Sequence, residues 1–204
     1  MSETLMNLSN PYIGERRPGS VGLPMPGVSV RNLDPDGNPV PDGAVGELHL
    51  QGPNLFAGYW RRPDATAAAY REGWFRTGDI AVRSPDGYYT LQGRRKDMII
   101  SGGFNIYASE VERALVEHPS ISLAAAIGVP DERWGERVTA FVVARPGQSV
   151  DVADIQAYVK QVKGSMYAPK EVVVVDKLPM TPVGKVDKKT LREPYWGNTT
   201  RNVN

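Results

Sequence analysis

The chain contains no cysteine. That excludes disulfides, thiolate metal sites and a cysteine nucleophile, and a reducing, cytoplasmic location is expected from it. No apolar run approaches the roughly 18 residues that suggest a membrane-spanning helix, and the N-terminus carries neither the basic nor the apolar segment of a secretion signal. Charge of one sign is lacking too: 24 Lys and Arg against 23 Asp and Glu leave +1 over 204 residues. No overall field steers such a chain to nucleic acid or an anionic membrane, so neither is expected as a partner. Histidine occurs twice, as His49 and His118. The alternation around His49 assigns it to the polar face of a strand, and His118 precedes Pro119 at a helix end; both read as surface residues. G-x-x-x-x-G-K-[ST], G-x-S-x-G, H-E-x-x-H and G-x-G-x-x-G are all absent. The residues by themselves therefore offer no catalytic triad, metal site or dinucleotide fingerprint.

What is present changes partway along. Thirteen of the 21 glycines and ten of the 17 prolines precede Arg94. That half reads as short strands and turns: Val28 to Leu33 alternates, Asp36-Gly37 is a turn signal, and Glu47 to Gln51 alternates again. Ile80 to Arg83 and Tyr88 to Leu91 flank Asp86-Gly87 as a hairpin. A small barrel-like β-subdomain over 1–95 is expected. From 96 to 204 the pattern is α+β. Ser109 and Glu112 have capping-box spacing ahead of an apolar stripe of Val111, Ala114 and Leu115. Val152, Ile155, Val159 and Val162 mark a second helix closed by Gly164. Leu123 to Val129, Val138 to Val143 and Val172 to Val175 have strand length, which predicts a compact domain of three strands and two covering helices. Gly197 to Asn204 reads as a loose polar tail.

Three segments carry chemistry. In Trp74 to Asp79, a carboxylate follows Gly78 at a strand, where it could accept two hydrogen bonds from a vicinal diol such as ribose; taken singly, Asp79 is better explained as a turn residue bonding its own backbone. The run from Gly93 to Ile106 sets Arg94, Arg95, Lys96 and Asp97 beside Met98, Ile99 and Ile100, and Gly102-Gly103 interrupts what would otherwise be a strand. Such a mixture suits a junction between domains. In Leu178 to Lys189, Lys185 sits on a loop stiffened by Pro179, Pro182 and Gly184, ahead of a short basic helix; taken singly, it is a solvated lysine.

In order, these segments resemble the ATP-dependent adenylate-forming superfamily of acyl-CoA synthetases, peptide-synthetase adenylation domains and luciferases. The resemblance rests on Tyr59-Trp60 with Arg62-Pro63-Asp64, on Arg76 to Asp79, on Gly93-Arg94 with Lys96-Asp97, and on Gly102-Gly103 with Asn105-Ile106. Ser109 to Glu112 and Pro182 to Lys185 complete it. It covers Met1 to about Tyr195. Family members carry a Ser/Thr/Gly-rich phosphate-cradling loop and a long α/β core before this segment. Met1 to Thr4 resembles the tail of the family's Tyr-Gly-x-Thr-Glu motif. The resemblance therefore implies the C-terminal portion of a larger enzyme, whose large domain is the expected partner. The chain alone is expected to be inactive and to self-associate through apolar surface.

The resemblance also implies roles. A carboxylate would attack the α-phosphate of ATP to give an acyl-adenylate, and CoA would then take the acyl group, with Mg²⁺ as cofactor. Lys185 matches the adenylation lysine, which places a cation between two anions. Asp79 would bind the ribose hydroxyls, Arg94 and Ser2 the nucleotide, and Glu3 would help hold Mg²⁺. Lys96 matches the hinge about which the C-terminal domain swings. Gly102 and Gly103 would let CoA pass close to backbone, and Trp134 matches a position that packs against CoA in some relatives, although a partly buried loop aromatic explains it as well. Met166 and Ala168 depart from the aromatic and arginine that some CoA ligases carry there. Met1 to Tyr12 and Glu15 to Gly22 resemble malonyl-CoA synthetases, with Leu191 to Tyr195 a weaker echo, so malonate or another short dicarboxylate is expected. A medium- or long-chain fatty acid is the alternative substrate, and a non-catalytic binding module reusing the fold is the alternative class.

Overall fold

The structure, a computed structural model, describes residues 1–197; apart from Gly197, the expected polar tail lies outside the described residues. The chain divides into two units, Met1–Arg95 and Lys96 onward.

In the first unit, β1 (Leu8–Ser9) and β2 (Leu23–Pro24) form a small antiparallel pair. The main sheet holds β3 (Ser29–Leu33), β4 (Val45–Gln51), β5 (Tyr70–Arg71), β6 (Trp74–Arg83) and β7 (Tyr89–Arg94), in the order β3-β4-β6-β5 with β7 also on β6. Helix α1 (Pro63–Ala68) starts on proline, whose fixed φ suits a first helical position. Alternation works as read: Leu48, Leu50, Ala81 and Tyr89 form one core, with Val28, Val30 and Leu55 against it. Ser84 to Tyr88 closes the expected hairpin, with Arg83 opposite Tyr89.

The opposite face is polar yet covered, and here the assignment of His49 to the surface is corrected: the ring is buried. Arg31 and Arg76 stand directly across from His49 on the neighbouring strands. The Arg31 guanidinium lies 4.2 Å over the Trp74 ring, and Arg76 pairs with Glu47 at 3.5 Å. Long charged side chains bury a polar row with their stems as effectively as apolar ones do.

The second unit begins in a 3₁₀ turn, Arg95–Asp97, that spans its boundary. It contains β8 (Met98–Ser101), β9 (Phe104–Tyr107), α2 (Ala108–Glu117), β10 (Ile121–Asp131), β11 (Gly135–Ala144), α3 (Val152–Lys163), β12 (Glu171–Val174) and α4 (Lys188–Trp196). The sheet has five strands, not three, in the order β10-β11-β8-β9 with β12 parallel to β11. The two extra strands come from the Gly93–Ile106 run. Gly102 and Gly103, at φ 57° and 82°, make the two-residue turn between Ser101 and Phe104. The glycine pair thus continues the ladder, because two consecutive positive φ values match the twist of a tight hairpin.

One face of this sheet packs Ala126, Val138, Ala140 and Val142 against Val111, Leu115, Ile155 and Val159 of α2 and α3. The other packs Ala125, Ile127, Val129 and Phe141 against Leu178 and against Leu191 of α4. Asp151 caps α3 by accepting the Ala153 and Asp154 amides, and Gly164 closes it at φ 95°. The capping box on α2 is corrected. Its N-cap is Tyr107, with no side-chain cap bond, and Glu112 instead accepts the Ala126 amide at 2.8 Å. His118 is also buried: Nδ1 bonds Ser120 Oγ at 2.8 Å and Nε2 lies 3.2 Å from Asp154.

Burial pushes the His49 imidazole down to about 4; Arg31, Arg76 and Arg71 add to the shift, while Glu47 opposes it. The unfolded ring titrates near 6.5, so between those values the unfolded chain binds more protons. Stability is therefore lost as pH falls from about 6.5 towards about 4, by roughly 3 kcal/mol from this group. Urea unfolding of wild type and His49→Gln at pH 7 and pH 4 checks this; the variant is expected to lose correspondingly less of its own stability across that interval.

Candidate functional site

In the first unit, the chemistry gathers around a bulge. On β4, Glu47 and His49 are two residues apart, but they face Ile80 and Arg76, four apart on β6. Thr77, Gly78 and Asp79 take up the excess. Gly78 adopts φ 70° with open space where a side chain would stand, so the backbone conformation alone asks for glycine. Buried Thr77 donates its hydroxyl to the Leu48 carbonyl at 2.8 Å and accepts the Asp79 amide at 2.9 Å. Bulges re-aim side chains, and this one sets Asp79 opposite Arg94, whose Nε lies 2.9 Å from Asp79 Oδ1. Asp79 lines a cleft of about 210 Å³ whose other walls include Met1, Leu5, Leu8 and Leu91.

The segment carrying Ser2 and Glu3 is fastened beside that cleft. Thr4 is fully buried; its carbonyl accepts Asn54 Nδ2 at 2.6 Å and its hydroxyl accepts Asn7 Nδ2 at 2.7 Å. Phe56 N donates to the Glu3 carbonyl at 2.8 Å, and the Tyr59 hydroxyl donates to Glu3 Oε1 at 3.1 Å. Ser2 is exposed. Among the described residues no group of three acidic, His or Cys side chains could hold a metal.

In the second unit, the structure brings Gly102 and Trp134 together. The Gly102 amide donates to the Trp134 carbonyl at 2.8 Å, and a Cβ on Gly102 would stand 2.8 Å from the indole. Asp131 Oδ1 accepts the Arg133 and Trp134 amides, both at 3.0 Å, and so fixes the loop that carries the ring. Sequence reasoning missed two cations here: Arg133 lies 4.8 Å and Lys170 Nζ 5.8 Å from the indole centroid. Arg133 adjoins Trp134 in sequence and could have been noticed; Lys170 arrives from the start of β12 and had no local signal. Met166 approaches the same spot, and Ala168 is buried. Gly103 is exposed, with nothing within 4 Å of where its Cβ would be.

Lys185 stands elsewhere in this unit, exposed on a tight turn. Thr181 N donates to the Lys185 carbonyl at 2.7 Å, and Lys185 N donates to Thr181 Oγ1 at 3.1 Å. Lys96 is exposed in the 3₁₀ turn.

The family model described as "AMP-binding enzyme C-terminal domain" matches residues 110–185, and the one described as "AMP-binding enzyme" matches residues 1–60. The chain belongs to the AMP-binding enzymes. Among curated members of the family, a medium/long-chain-fatty-acid–CoA ligase of Mycobacterium tuberculosis is 47% identical over 196 residues, covering 93% of this chain and 34% of its own length. A mitochondrial malonate–CoA ligase of Mus musculus is 39% identical over 222 residues, covering 98% and 38%. Of solved structures, ATP-bound MatB from Rhodopseudomonas palustris matches with a TM-score of 0.90 and 42% identity, over 98% of this chain and 40% of that one. The chain thus spans little more than a third of the length of these curated relatives. Among the described residues no helix is long and apolar enough to cross a membrane.

Alanine at either turn glycine must adopt a left-handed φ, at a cost of roughly 1–2 kcal/mol. Gly102→Ala must also displace the Trp134 ring, whereas Gly103→Ala meets open space. Urea unfolding is expected to rank Gly102→Ala as the less stable variant by about 1 kcal/mol or more.

Proposed function

We propose that this chain is the nucleotide- and thiol-handling C-terminal part of an acid–thiol ligase, which activates a carboxylic acid as its adenylate and passes the acyl group to CoA. The observation that carries this reading is the Asp79–Arg94 pair, set at a cleft by a glycine bulge, in a chain that also presents the family's lysine exposed on a braced turn. A substrate oxygen attacks the α-phosphorus of ATP and pyrophosphate leaves with the electrons of the broken P–O bond. The CoA thiol then attacks the acyl carbon, giving up its proton, and AMP leaves. The first step brings anion to anion, and Lys185 supplies the cation that offsets this repulsion. Asp79 accepts the ribose hydroxyls while Arg94, 2.9 Å away, orients the carboxylate, and Ser2 contacts phosphate.

Glu3 would provide one ligand to Mg²⁺, whose charge would offset that of the substrate phosphates. Lys96 is the pivot between the two half-reactions. The Gly102 turn and Trp134 receive CoA, with Arg133 and Lys170 flanking the ring as counter-charges to its phosphates. The 39% identity to a malonate–CoA ligase supports a short dicarboxylic acid as substrate. A medium- or long-chain fatty acid is the second reading, favoured by the 47% identity to a ligase of that class.

Joining this chain to the large domain of MatB gives the direct assay. The chimera is expected to catalyse ATP–pyrophosphate exchange with its acid. Lys185→Ala should lower that exchange at least ~100-fold and leave thioester formation from supplied acyl-adenylate intact. Equal loss of both half-reactions removes the role given to Lys185, and an inert wild-type chimera removes the reading as a whole. The 204-residue chain by itself is expected to show no exchange.

A further inference from the structure

Lys185 is exposed, so something other than its own packing must fix where its ammonium stands. The turn that carries it is continuous with α4. Met180 bridges Val186, Gly184 N donates to the Thr181 carbonyl at 2.9 Å, and Asp187 N donates to the Pro179 carbonyl at 2.8 Å. The Asp187 carboxylate then caps α4 by accepting the Lys189 and Thr190 amides at 3.0 and 3.3 Å. Wherever α4 goes, the Lys185 turn goes with it.

Helix α4 cannot hold itself. It has nine residues, one buried side chain (Leu191) and an internal proline, Pro194. Isolated helices of that length are unstable in water, and an interior proline removes a helical hydrogen bond. Tyr195 adds an edge-on contact with Phe141, ring centroids 6.3 Å apart, and the other ties are polar. Trp196 Nε1 donates to the Gly128 carbonyl at 3.0 Å, and Lys188 Nζ lies 2.6 Å from Glu112 Oε1, the oxygen that also accepts Ala126 N. Arg192 Nη2 lies 2.7 Å from Asp97 Oδ1, with both side chains less than a fifth exposed. That last tie is the longest in sequence, and it ends on the residue after Lys96, two residues before buried Ile99 of β8.

We propose that the Asp97–Arg192 ion pair is a strut that fixes α4, and with it the turn of Lys185, to the first residues of the second unit, which makes both positioning residues for that lysine. The inference rests on the adenylation role given to Lys185 above. A shielded, charge-assisted contact at 2.7 Å is directional in a way that the apolar contacts of Leu191 and Tyr195 are not. An error of about 1 Å in placing a catalytic group can cost about 100-fold in rate.

Amide hydrogen exchange on the 204-residue chain tests the strut without any need for activity. In Arg192→Gln, protection at Thr181, Asp187 and Leu191 is expected to fall about tenfold, with Ala126 and Ala140 unchanged. Arg192→Lys, which keeps the charge, is expected to recover most of it. Unchanged protection at the turn overturns the proposal, and so does an equal loss across β10 and β11. In the chimera, Arg192→Gln should slow adenylate formation about tenfold or more and leave thioester formation from supplied adenylate within about twofold; matched losses overturn the positioning role. A wild-type chimera with no activity speaks against the proposed function alone, since the exchange result still decides the strut.

Discussion

The β10–β11 ladder is the constraint on which the second unit depends. Ten residue pairs run from Ile121–Ala144 to Asp131–Gly135, and side chains on successive residues must point to opposite faces. Both faces are apolar, so each needs a cover: α2 and α3 take one, and α4 with Leu178 takes the other. Every feature of chemical interest in this unit hangs from that arrangement. The Trp134 loop is the turn joining the two strands, β8 adds to the edge of β11 at Gly135, and α4 arrives only because the second face would otherwise lie bare. A turn that leads into a helix that must cover a sheet is placed by the hydrophobic effect first and by its own contacts second.

The first unit solves a different problem. One face of its sheet is apolar, and the other carries a row of charged side chains around the buried His49. Glu47 holds that row together: Arg76 and Arg95 approach its Oε2 at 3.5 and 2.9 Å, and His49 Nε2 at 4.0 Å. A neutral imidazole is the form that fits between guanidinium groups, which is why burial and Arg31, Arg76 and Arg71 act in the same direction on His49. The bulge at Thr77–Asp79 falls on the strand beside this row, where the register with β4 already slips. Asp79 reaches its cleft through an irregularity that the rest of the sheet tolerates.

Much of this was legible in residue order. Alternation marked β3, β4 and the β6–β7 hairpin, and apolar runs marked β10, β11 and β12. Helical spacing marked α2 and α3. The failures share one cause, which is that partners distant in sequence decide the fate of a polar side chain. Capping-box spacing gave Glu112 a local partner, yet an unsatisfied amide on β10 and the Lys188 ammonium compete for the same carboxylate and win. His118 looked like a helix-end surface residue, but Ser120 and Asp154 turn it into a link between α2 and α3. The glycine pair was read as an interruption because each flanking strand is only four residues long, too short for alternation to register. Among the candidate residues, Asp79, Arg94 and Lys185 stood out through motif order. Arg133 and Lys170 did not, since nothing local says that a lysine before β12 lies near a tryptophan before β11.

Lys185 and Lys188 show why a motif can be recognised while its support stays hidden. They are three residues apart and chemically identical, and the fold treats them oppositely. Lys188 is mostly buried, with its ammonium against a carboxylate that also holds a strand amide, so moving it would leave two groups unsatisfied. Lys185 sits on an exposed turn braced by backbone hydrogen bonds and by the Thr181 hydroxyl, which accepts its amide. Under the adenylation role proposed for Lys185, an ammonium that approaches a reacting phosphate cannot also serve as a structural counter-ion, because leaving that partner would cost what the pairing had stabilised. The chain meets both demands by separating them. One lysine secures the helix to the sheet, and the other extends from the same rigid segment with its charge uncommitted to any carboxylate among the described residues.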